Sequence, residues 1–451
     1  MFFQACLSYN CNRTESKVMA EKVLILGLSK SGIAAAKFAA SKGCDVYLTE
    51  TKNEVNLEQV KELQNLGVKV EHGSHSEEFI SGTSFAVTSP GIPPKSEIFR
   101  RLNEKNIKII SEVEFAYLNT KTPFIAITGT NGKTTTTALV SHILSKKFSA
   151  PVCGNIGVPP TSLIEENHDF LVCEISSYQA QMTERFKAKI ACWTNFTPDH
   201  IDWHGGLENY FNAKAKIFLP PQEPEFAILN AQDTKLKEFS KQCKNVIFFD
   251  DGNDCGIKNN SIFYKGEEII SLKDCPLVGH HNYQNIMCGI IIAKLVGMNN
   301  SDIREQIMSF RAPEHRLEKV REMNGITFFN DSKATNPEAS IVAIDSFNNQ
   351  NVALILGGRD KNTDLTEMCH SINKHIKTVL LIGEATERFE ENLKKNGFSN
   401  IIKEHTMEDA IDKAISLKPD VVLLSPACAS FDMFKSYEHR GEVFKDYVLS
   451  K

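Results

Sequence analysis

No apolar stretch in this chain approaches the ~20 residues that a helix needs to cross a bilayer, so membrane insertion is not expected. No pair of cysteines has the C-x-x-C spacing. Several of the 12 cysteines sit inside apolar runs, among them Cys173 in Phe-Leu-Val-Cys-Glu and Cys192 in Ile-Ala-Cys-Trp. These read as buried small hydrophobes in a reducing cytosol rather than as disulfides or zinc ligands. Neither sign of charge prevails. With 51 basic and 56 acidic residues the formal net charge is -5, which gives no global pull towards nucleic acid or anionic lipid, so an anionic ligand must be held locally. The N-terminal run Met-Phe-Phe-Gln-Ala-Cys-Leu is too short for a secretory signal, and Arg13 and Lys17 follow it. Residues 1–20 read as an unstructured extension in preference to a weak transit peptide, because a regular pattern begins only after Met19, itself a candidate start.

What is present is a chain of 451 residues, too long for one ordinary core and of a length that suggests roughly three domains. Its densest signal is Ile125-Ala-Ile-Thr-Gly-Thr-Asn-Gly-Lys-Thr-Thr-Thr-Thr137. A short β-branched run feeds Gly129 and Gly132, then Lys133, Thr134 and Ala138-Leu-Val, which predicts strand, tight turn and helix. Such a turn aims backbone N–H groups at an anion, Lys133 adds a point charge, and a threonine hydroxyl can ligate Mg²⁺. The loop is shorter than the standard P-loop, which needs glycine where Ile127 stands.

Residues 21–118 open as a dinucleotide-binding domain does: a buried strand over Lys22–Gly27, an Ala-rich helix, and a second strand ending in Glu50. Ser29 replaces the middle glycine of G-x-G-x-x-G, which weighs against NAD and leaves a Rossmann-like domain for another nucleotide. Phe85-Ala-Val-Thr-Ser-Pro-Gly-Ile-Pro-Pro94 predicts a strand running into a rigid loop, at the end where open α/β sheets put ligands.

Residues 119–312 contain the phosphate loop, then Gly154-Asn-Ile-Gly157 and Asp169-Phe-Leu-Val-Cys-Glu174, a strand ending in a carboxylate that is placed to hold Mg²⁺ opposite the loop. Asn195-Phe-Thr-Pro-Asp-His200-Ile-Asp-Trp-His-Gly205 collects Asp199, His200, Asp202 and His204. No thiolate spacing supports zinc there, and a hard-metal site sharing ligands with Glu174 is the more economical reading. Tyr210-Phe-Asn-Ala-Lys214-Ala-Lys-Ile-Phe218 predicts a helix whose lysines, taken alone, form a solvated face. Residues 313–451 hold three buried strands, Val352–Gly358, Thr378–Gly383 and Asp420–Ser425, with helical segments between them: a second doubly wound unit. Lys361, just past a strand end, reads as a surface lysine or as a partner for a carboxylate.

These motifs, with Tyr210-x-x-Ala-Lys214, Gly279-His-His-Asn282-Tyr-Gln-Asn285, Pro313-Glu-His-Arg316, Asn330-Asp-Ser-Lys-Ala-Thr335-Asn and Ser425-Pro-Ala-Cys-Ala-Ser430, resemble in order those of the Mur ligases. That family makes amide bonds at the expense of ATP to build the peptidoglycan stem peptide. The resemblance covers everything after the N-terminal extension and implies a three-domain α/β fold: a Rossmann-like domain, a central mononucleotide-binding P-loop-type domain and a C-terminal Rossmann-like domain. It implies ATP contacts at Gly129, Thr130, Asn131, Gly132, Lys133, Thr134, Thr135, Asn282, Asn285, Arg316 and Asp331. It also implies a carbamate on Lys214 that ligates Mg²⁺ together with Thr134, Glu174 and His200, two Mg²⁺ sites in all, and catalytic roles for Lys133, Glu174, His200 and Lys214.

The G-G-x-D-K-x-x-D pattern, the Ser430-Phe-Asp-x-Phe-Lys run and the aromatic Tyr437 resemble the members that add D-glutamate, and the D-N-P-R signature of those adding diaminopimelate or lysine is absent. By that resemblance His200, Thr335, Lys361, Ser430 and Tyr437 meet D-glutamate. Lys30, Ser31, Glu50, Thr51, Ser89, Pro90, Gly91 and Asn155 meet UDP-N-acetylmuramoyl-L-alanine. A cytoplasmic monomer with small-molecule substrates and no nucleic-acid partner is expected. Two alternatives stay open: a relative adding another amino acid, and a non-catalytic nucleotide-binding protein that kept the fold.

Overall fold

The computed structural model describes residues 21–199, 201–277, 279–311, 314–347, 350–360 and 363–451. His200, Lys361 and the N-terminal extension therefore lie outside the described residues. The chain folds into two compact units. One is the chain up to Lys273 with Gln284–Ile307; the other is Asp274–Tyr283 with Met308–Lys451.

The first unit contains two sheets. In the first, β1 (Lys22–Leu26), β2 (Asp45–Glu50), β3 (Lys69–His72), β4 (Phe85–Thr88) and β5 (Lys108–Ser111) run parallel in the order β3-β2-β1-β4-β5. Val23 to Leu26 are all fully buried because both faces of the sheet are covered: Val23 and Ile25 join one apolar cluster, Leu24 and Leu26 another. The strand order reverses between β1 and β4, the place where such sheets bind ligands.

The second sheet comprises β6 (Phe124–Thr128), β7 (Val152–Gly154), β8 (Leu171–Glu174), β9 (Ile190–Trp193), β10 (Phe226–Asn230), β11 (Val246–Phe249), β12 (Cys255–Lys258), β13 (Ser261–Tyr264) and β14 (Glu267–Ser271). Their order is β14-β13-β12-β11-β10-β9-β6-β8-β7, parallel up to β12 and antiparallel beyond it. The phosphate-loop strand β6 is central, with Ile127 paired to Glu174 of β8 and Thr128 to Trp193 of β9. Glu174, two strands further along the chain, is therefore on the strand next to the loop.

The helix Glu112–Leu118 joins the two sheets and carries two buried carboxylates in its first turn. Glu112 accepts from the backbone N–H and the hydroxyl of Thr161 at 2.7 and 2.6 Å, and Glu114 accepts from the N–H groups of Glu184, Arg185 and Phe186 at 2.8 to 3.0 Å. Burial pushes the Glu112 carboxyl up to about 7 against the lowering effect of both Thr161 contacts.

Among the described residues the second unit contains six strands: β15 (Glu318–Met323), β16 (Ile326–Asn330), β17 (Val352–Gly357), β18 (Thr378–Ile382), β19 (Ile401–Lys403) and β20 (Val421–Leu424). Their order is β15-β16-β20-β17-β18-β19, and only the β15–β16 pair is antiparallel. The three predicted strands are the fully buried centre, β20, β17 and β18. The edge strands β15 and β19 mix exposed and half-buried residues, which is why their apolar pattern is weak. No helix among the described residues is long and apolar enough to cross a membrane.

Candidate active site

The chain leaves β6 through Gly129 at φ 149° and Gly132 at φ 79°. Both positions exclude a side chain: a Cβ on Gly129 would sit 1.9 Å from Thr194 Oγ1, and one on Gly132 would sit 2.7 Å from Asn285 Oδ1. Gly132 caps the helix Lys133–Leu144 without a side-chain hydrogen bond, so the first-turn N–H groups are oriented at a helix N-terminus as an anion site requires. Lys133 Nζ folds back to donate to the carbonyls of Gly129 and Thr130 at 3.0 and 2.7 Å. Thr134 and Thr135 are buried in that first turn. Asn285 lies behind it, its Oδ1 accepting from Thr136 Oγ1 at 3.0 Å. Asn282 is buried in the helix His280–Leu295, and its N–H bonds to the carbonyl of Gly279 at 3.0 Å.

The helix Leu207–Ala215 brings Lys214 to the same loop. Its lysines do not all form a solvated face: Lys214 is 1% exposed, and its Nζ donates to the Gly129 carbonyl at 2.8 Å. Burial, then the charge of Lys133, lowers the Lys214 amine well below the usual lysine range, against the opposing charges of Asp199 and Glu174. Glu174, also 1% exposed, receives Asn155 Nδ2 on Oε1 at 2.7 Å, while Oε2 is buried without a hydrogen-bond partner. The N–H of Asn155 in turn donates to the Glu174 carbonyl at 2.9 Å. A buried carboxylate oxygen with no donor is a costly arrangement unless a cation completes it, and a hard metal ion would suit such an oxygen.

Of the acid and histidine cluster that follows β9, His204 is committed elsewhere: it is buried, and its Nε2 shares a 3.0 Å hydrogen bond with Ser177 Oγ. Among the described residues no group of three or more His, Cys, Asp or Glu is assembled as a ready-made metal cage. Sequence reasoning gave no role to the residues that fix the loop from behind, Thr194, Asn195 and Asn230. The available signal was small polar residues at or just past the ends of buried strands, where a hydrogen-bonding role suits them.

At the switch point of the first sheet, Ser29 Oγ bonds to Ser89 Oγ at 2.7 Å and to Ser31 Oγ at 3.0 Å, and accepts the N–H of Gly32. A Cβ on Gly32 would lie 2.0 Å from the Gly27 carbonyl, so packing dictates the last fingerprint glycine, while Gly27 is held at φ 92°. Glu50 accepts from the N–H groups of Leu28 and Lys52 at 3.0 and 3.1 Å and from Thr51 Oγ1 at 3.3 Å. Burial tends to raise its carboxyl, and these donors together with the Lys52 charge outweigh burial and hold it below the usual range. Lys30, Thr51 and Gly91 are exposed around this turn, Pro90 is half-buried and Ser89 is buried.

In the second unit Asp331 follows β16. Its Oδ1 accepts from the Leu317 N–H at 3.2 Å and its Oδ2 from Ser425 Oγ at 2.8 Å. Burial pushes its carboxyl up to about 7, although Ser425 and the Arg316 charge pull the other way. Ser430 is buried and Thr335 half-buried; Tyr437 opens the helix Tyr437–Ser450, with its ring 5.4 Å from Lys333 Nζ and edge-on to His315. Arg440, to which the sequence assigned no role, is 1% exposed and ties this region together. It donates to Ser332 Oγ at 2.9 Å, to the Ser332 carbonyl at 2.8 Å and to the Cys428 carbonyl at 3.0 Å. Past the end of β17, Arg388 binds Asp360 in a bidentate pair at 2.6 and 2.8 Å and the Thr363 carbonyl at 3.0 Å.

Three family descriptions match successive parts of the chain. Residues 127–293 match the Mur ligase middle domain, residues 315–428 the Mur ligase glutamate ligase domain, and residues 21–111 the Mur ligase MurD-like N-terminal domain. The chain belongs to the Mur ligase family of ATP-dependent ligases. Within that family it is 37% identical over 446 residues to the UDP-N-acetylmuramoylalanine--D-glutamate ligase of Caldanaerobacter subterraneus, covering 95% of this chain and 98% of the relative. It is 39% identical over 446 residues to the enzyme of the same name from Koribacter versatilis, covering 96% and 98%. Among solved structures it shares its fold with MurF from Acinetobacter baumannii (TM-score 0.62, 16% identity, 100% of this chain and 98% of the other). It also shares its fold with the UDP-N-acetylmuramate-alanine ligase MurC from Thermotoga maritima (TM-score 0.60, 20% identity, 95% and 100%).

Proposed function

We propose that this ligase joins D-glutamate to the alanyl carboxylate of UDP-N-acetylmuramoyl-L-alanine, with ATP converted to ADP and phosphate, in peptidoglycan synthesis. The observation that carries the chemistry is the convergence of Lys133 and the buried Lys214 on the carbonyl of Gly129, with the charge of the buried Glu174 acting on Lys214. The choice of amino acid rests on the full-length relatives named for D-glutamate.

A carboxylate is a poor electrophile, and phosphorylation by ATP turns it into an acyl phosphate that the amine of D-glutamate attacks through a tetrahedral intermediate, expelling phosphate. Lys133 and the first-turn N–H groups of its helix neutralise the transferred phosphoryl group, a stabilisation that grows as charge builds. Thr134, Glu174, His200 and Lys214 are the residues that would hold Mg²⁺ at two sites, where it supplies Lewis-acid polarisation of phosphoryl and carbonyl oxygens. Burial favours the neutral form of the Lys214 amine, the form able to add to CO₂ with loss of a proton and so to become a carbamate, an oxygen donor suited to a hard cation. Asn155, fixed on Glu174, faces the acceptor substrate. The polar turn around Ser29, Ser89 and Glu50 receives its UDP end, and Thr335, Lys361, Ser430 and Tyr437 receive D-glutamate.

The test is phosphate release from ATP with the UDP-muramoyl-alanine acceptor and a panel of amino acids. Turnover with D-glutamate alone is expected. Turnover with L-lysine or diaminopimelate in its place would refute the choice of amino acid, and nucleotide binding without any turnover would favour a non-catalytic relative.

A further inference from the structure

Behind the phosphate loop, Thr194, Asn195, Asn230 and Asp233 form a set of side chains that neither the substrate sites nor the metal site uses. Asn195, the second residue after β9, spans a single loop residue with its carboxamide. Its Oδ1 accepts the main-chain N–H of Asn131 at 2.9 Å, and its Nδ2 donates to the carbonyl of the same residue at 3.1 Å. Thr194 Oγ1 donates to that carbonyl as well, at 2.6 Å. One residue earlier in the loop, the Thr130 N–H donates to the Asn195 carbonyl at 3.0 Å, and Thr130 Oγ1 both accepts the N–H of Thr197 and donates to its carbonyl, each at 3.0 Å. The clamping segment is itself anchored from β10: Asn230 Nδ2 donates to the Thr194 carbonyl at 3.0 Å, and Asp233 Oδ2 accepts the Phe196 N–H at 2.7 Å.

We propose that Asn195 is a positioning residue for ATP, which sets the shape of the phosphate loop before nucleotide arrives by holding both polar groups of Asn131. A loop with glycines at φ 149° and 79° has many conformations open to it, and converging its N–H groups on an anion costs entropy at binding unless that convergence is already built in. The requirement is chemically narrow. A carboxamide presents one acceptor and one donor side by side, whereas a carboxylate would set an oxygen against the Asn131 carbonyl and place a negative charge beside the phosphates. Because its N–H is committed to Asn195, the main chain of Asn131 shapes the loop. This inference rests on the ATP reading of the loop.

The experiment compares the full-length wild type with Asn195→Ala and Asn195→Asp. It measures phosphate release at varied ATP with the other substrates saturating, and the melting shift produced by a non-hydrolysable ATP analogue relative to each protein's own nucleotide-free midpoint. The expected result is a loss of about 10- to 100-fold in kcat/KM for ATP in both variants. The analogue-induced shift should be largely lost, and KM for D-glutamate and for the UDP-substrate should stay within about twofold of wild type on the scale of that loss. Asn195→Asp, nearly isosteric, keeps the test open should Asn195→Ala not fold. Wild-type ATP parameters in either variant, or an equal rise in KM for all three substrates, overturn the proposal. A wild type that neither binds nor consumes ATP removes the underlying reading instead.

Discussion

Lys133 and Lys214 donate to one acceptor, the carbonyl oxygen of Gly129, at 3.0 and 2.8 Å. Two ammonium groups converging on one buried oxygen repel each other, and the more deeply buried of the two is the one whose charged form is disfavoured. Lys214→Ala should therefore remove a metal-binding position rather than a positive charge. Activity is expected to fall by about 10²-fold or more, and to return in part when short carboxylic acids are added to the assay, since they supply the missing oxygen donor. Full activity without additives would count against a carbamate at this position.

The same burial makes a stability prediction. The folded Lys214 amine titrates well below the unfolded value near 10.5, so between those two values the unfolded chain binds a proton that the folded chain does not. Stability on this account rises with pH across that window, and the penalty is full below the folded value. Lys214→Met, which keeps the stem and removes the amine, should raise the melting midpoint of the metal-free, CO₂-depleted protein at neutral pH. A gain of about 2–4 °C is expected per kcal/mol of penalty relieved, shrinking as pH approaches 10.5. An unchanged or lowered midpoint at pH 7 would show that the buried amine is well satisfied by the Gly129 carbonyl.

Glu174→Gln separates the carboxylate's charge from its shape. The amide oxygen retains the Asn155 contact now made by Oε1, while the position of Oε2, which has no donor, loses its negative charge. We expect turnover to fall by about 10²- to 10³-fold, by analogy with removal of one electrostatic group from a preorganised site. We also expect the metal-free melting midpoint to stay level or rise, because an unpaired buried carboxylate is removed. Titration with Mn²⁺ followed by melting shift is the direct readout. A variant that binds the ion as tightly as wild type would remove Glu174 from the metal site.

Much of this was legible in the sequence, and what was missed has a physical cause. The buried centres of the three sheets read as apolar runs because parallel strands are covered on both faces, and β6, β17 and β20 are unmistakable on that ground. Edge strands such as β15 carry no such run. Lys214 read as solvated because helical spacing reports which side of a helix is apolar, not that one lysine on it is buried under a loop 85 residues away. The role of Arg440 was invisible for a related reason: it lies in main-chain carbonyls at Ser332 and Cys428, and carbonyls leave no mark on a sequence. The phosphate loop was legible because its glycines are required locally, but the clamp at Asn195 became visible only once β9 was seen beside β6.

Asp331 supplies the last prediction. Its carboxyl titrates at about 7 in the folded second unit, against an ordinary value of 3.8, and burial is the main cause. Between those pH values the folded chain holds a proton that the unfolded chain has lost, so stability from this group falls as pH rises from about 4 to about 7 and is flat on either side. The full swing is on the order of 4 kcal/mol at most. Asp331→Asn keeps an oxygen for the Leu317 N–H and cannot ionise, so the slope should vanish. Opening free energies from hydrogen exchange at β16 and β20, measured across pH 4 to 8 for wild type and variant, give the comparison. An identical slope in both would mean that the buried carboxylate is stabilised in its charged form, with the Arg316 charge outweighing the cost of burial.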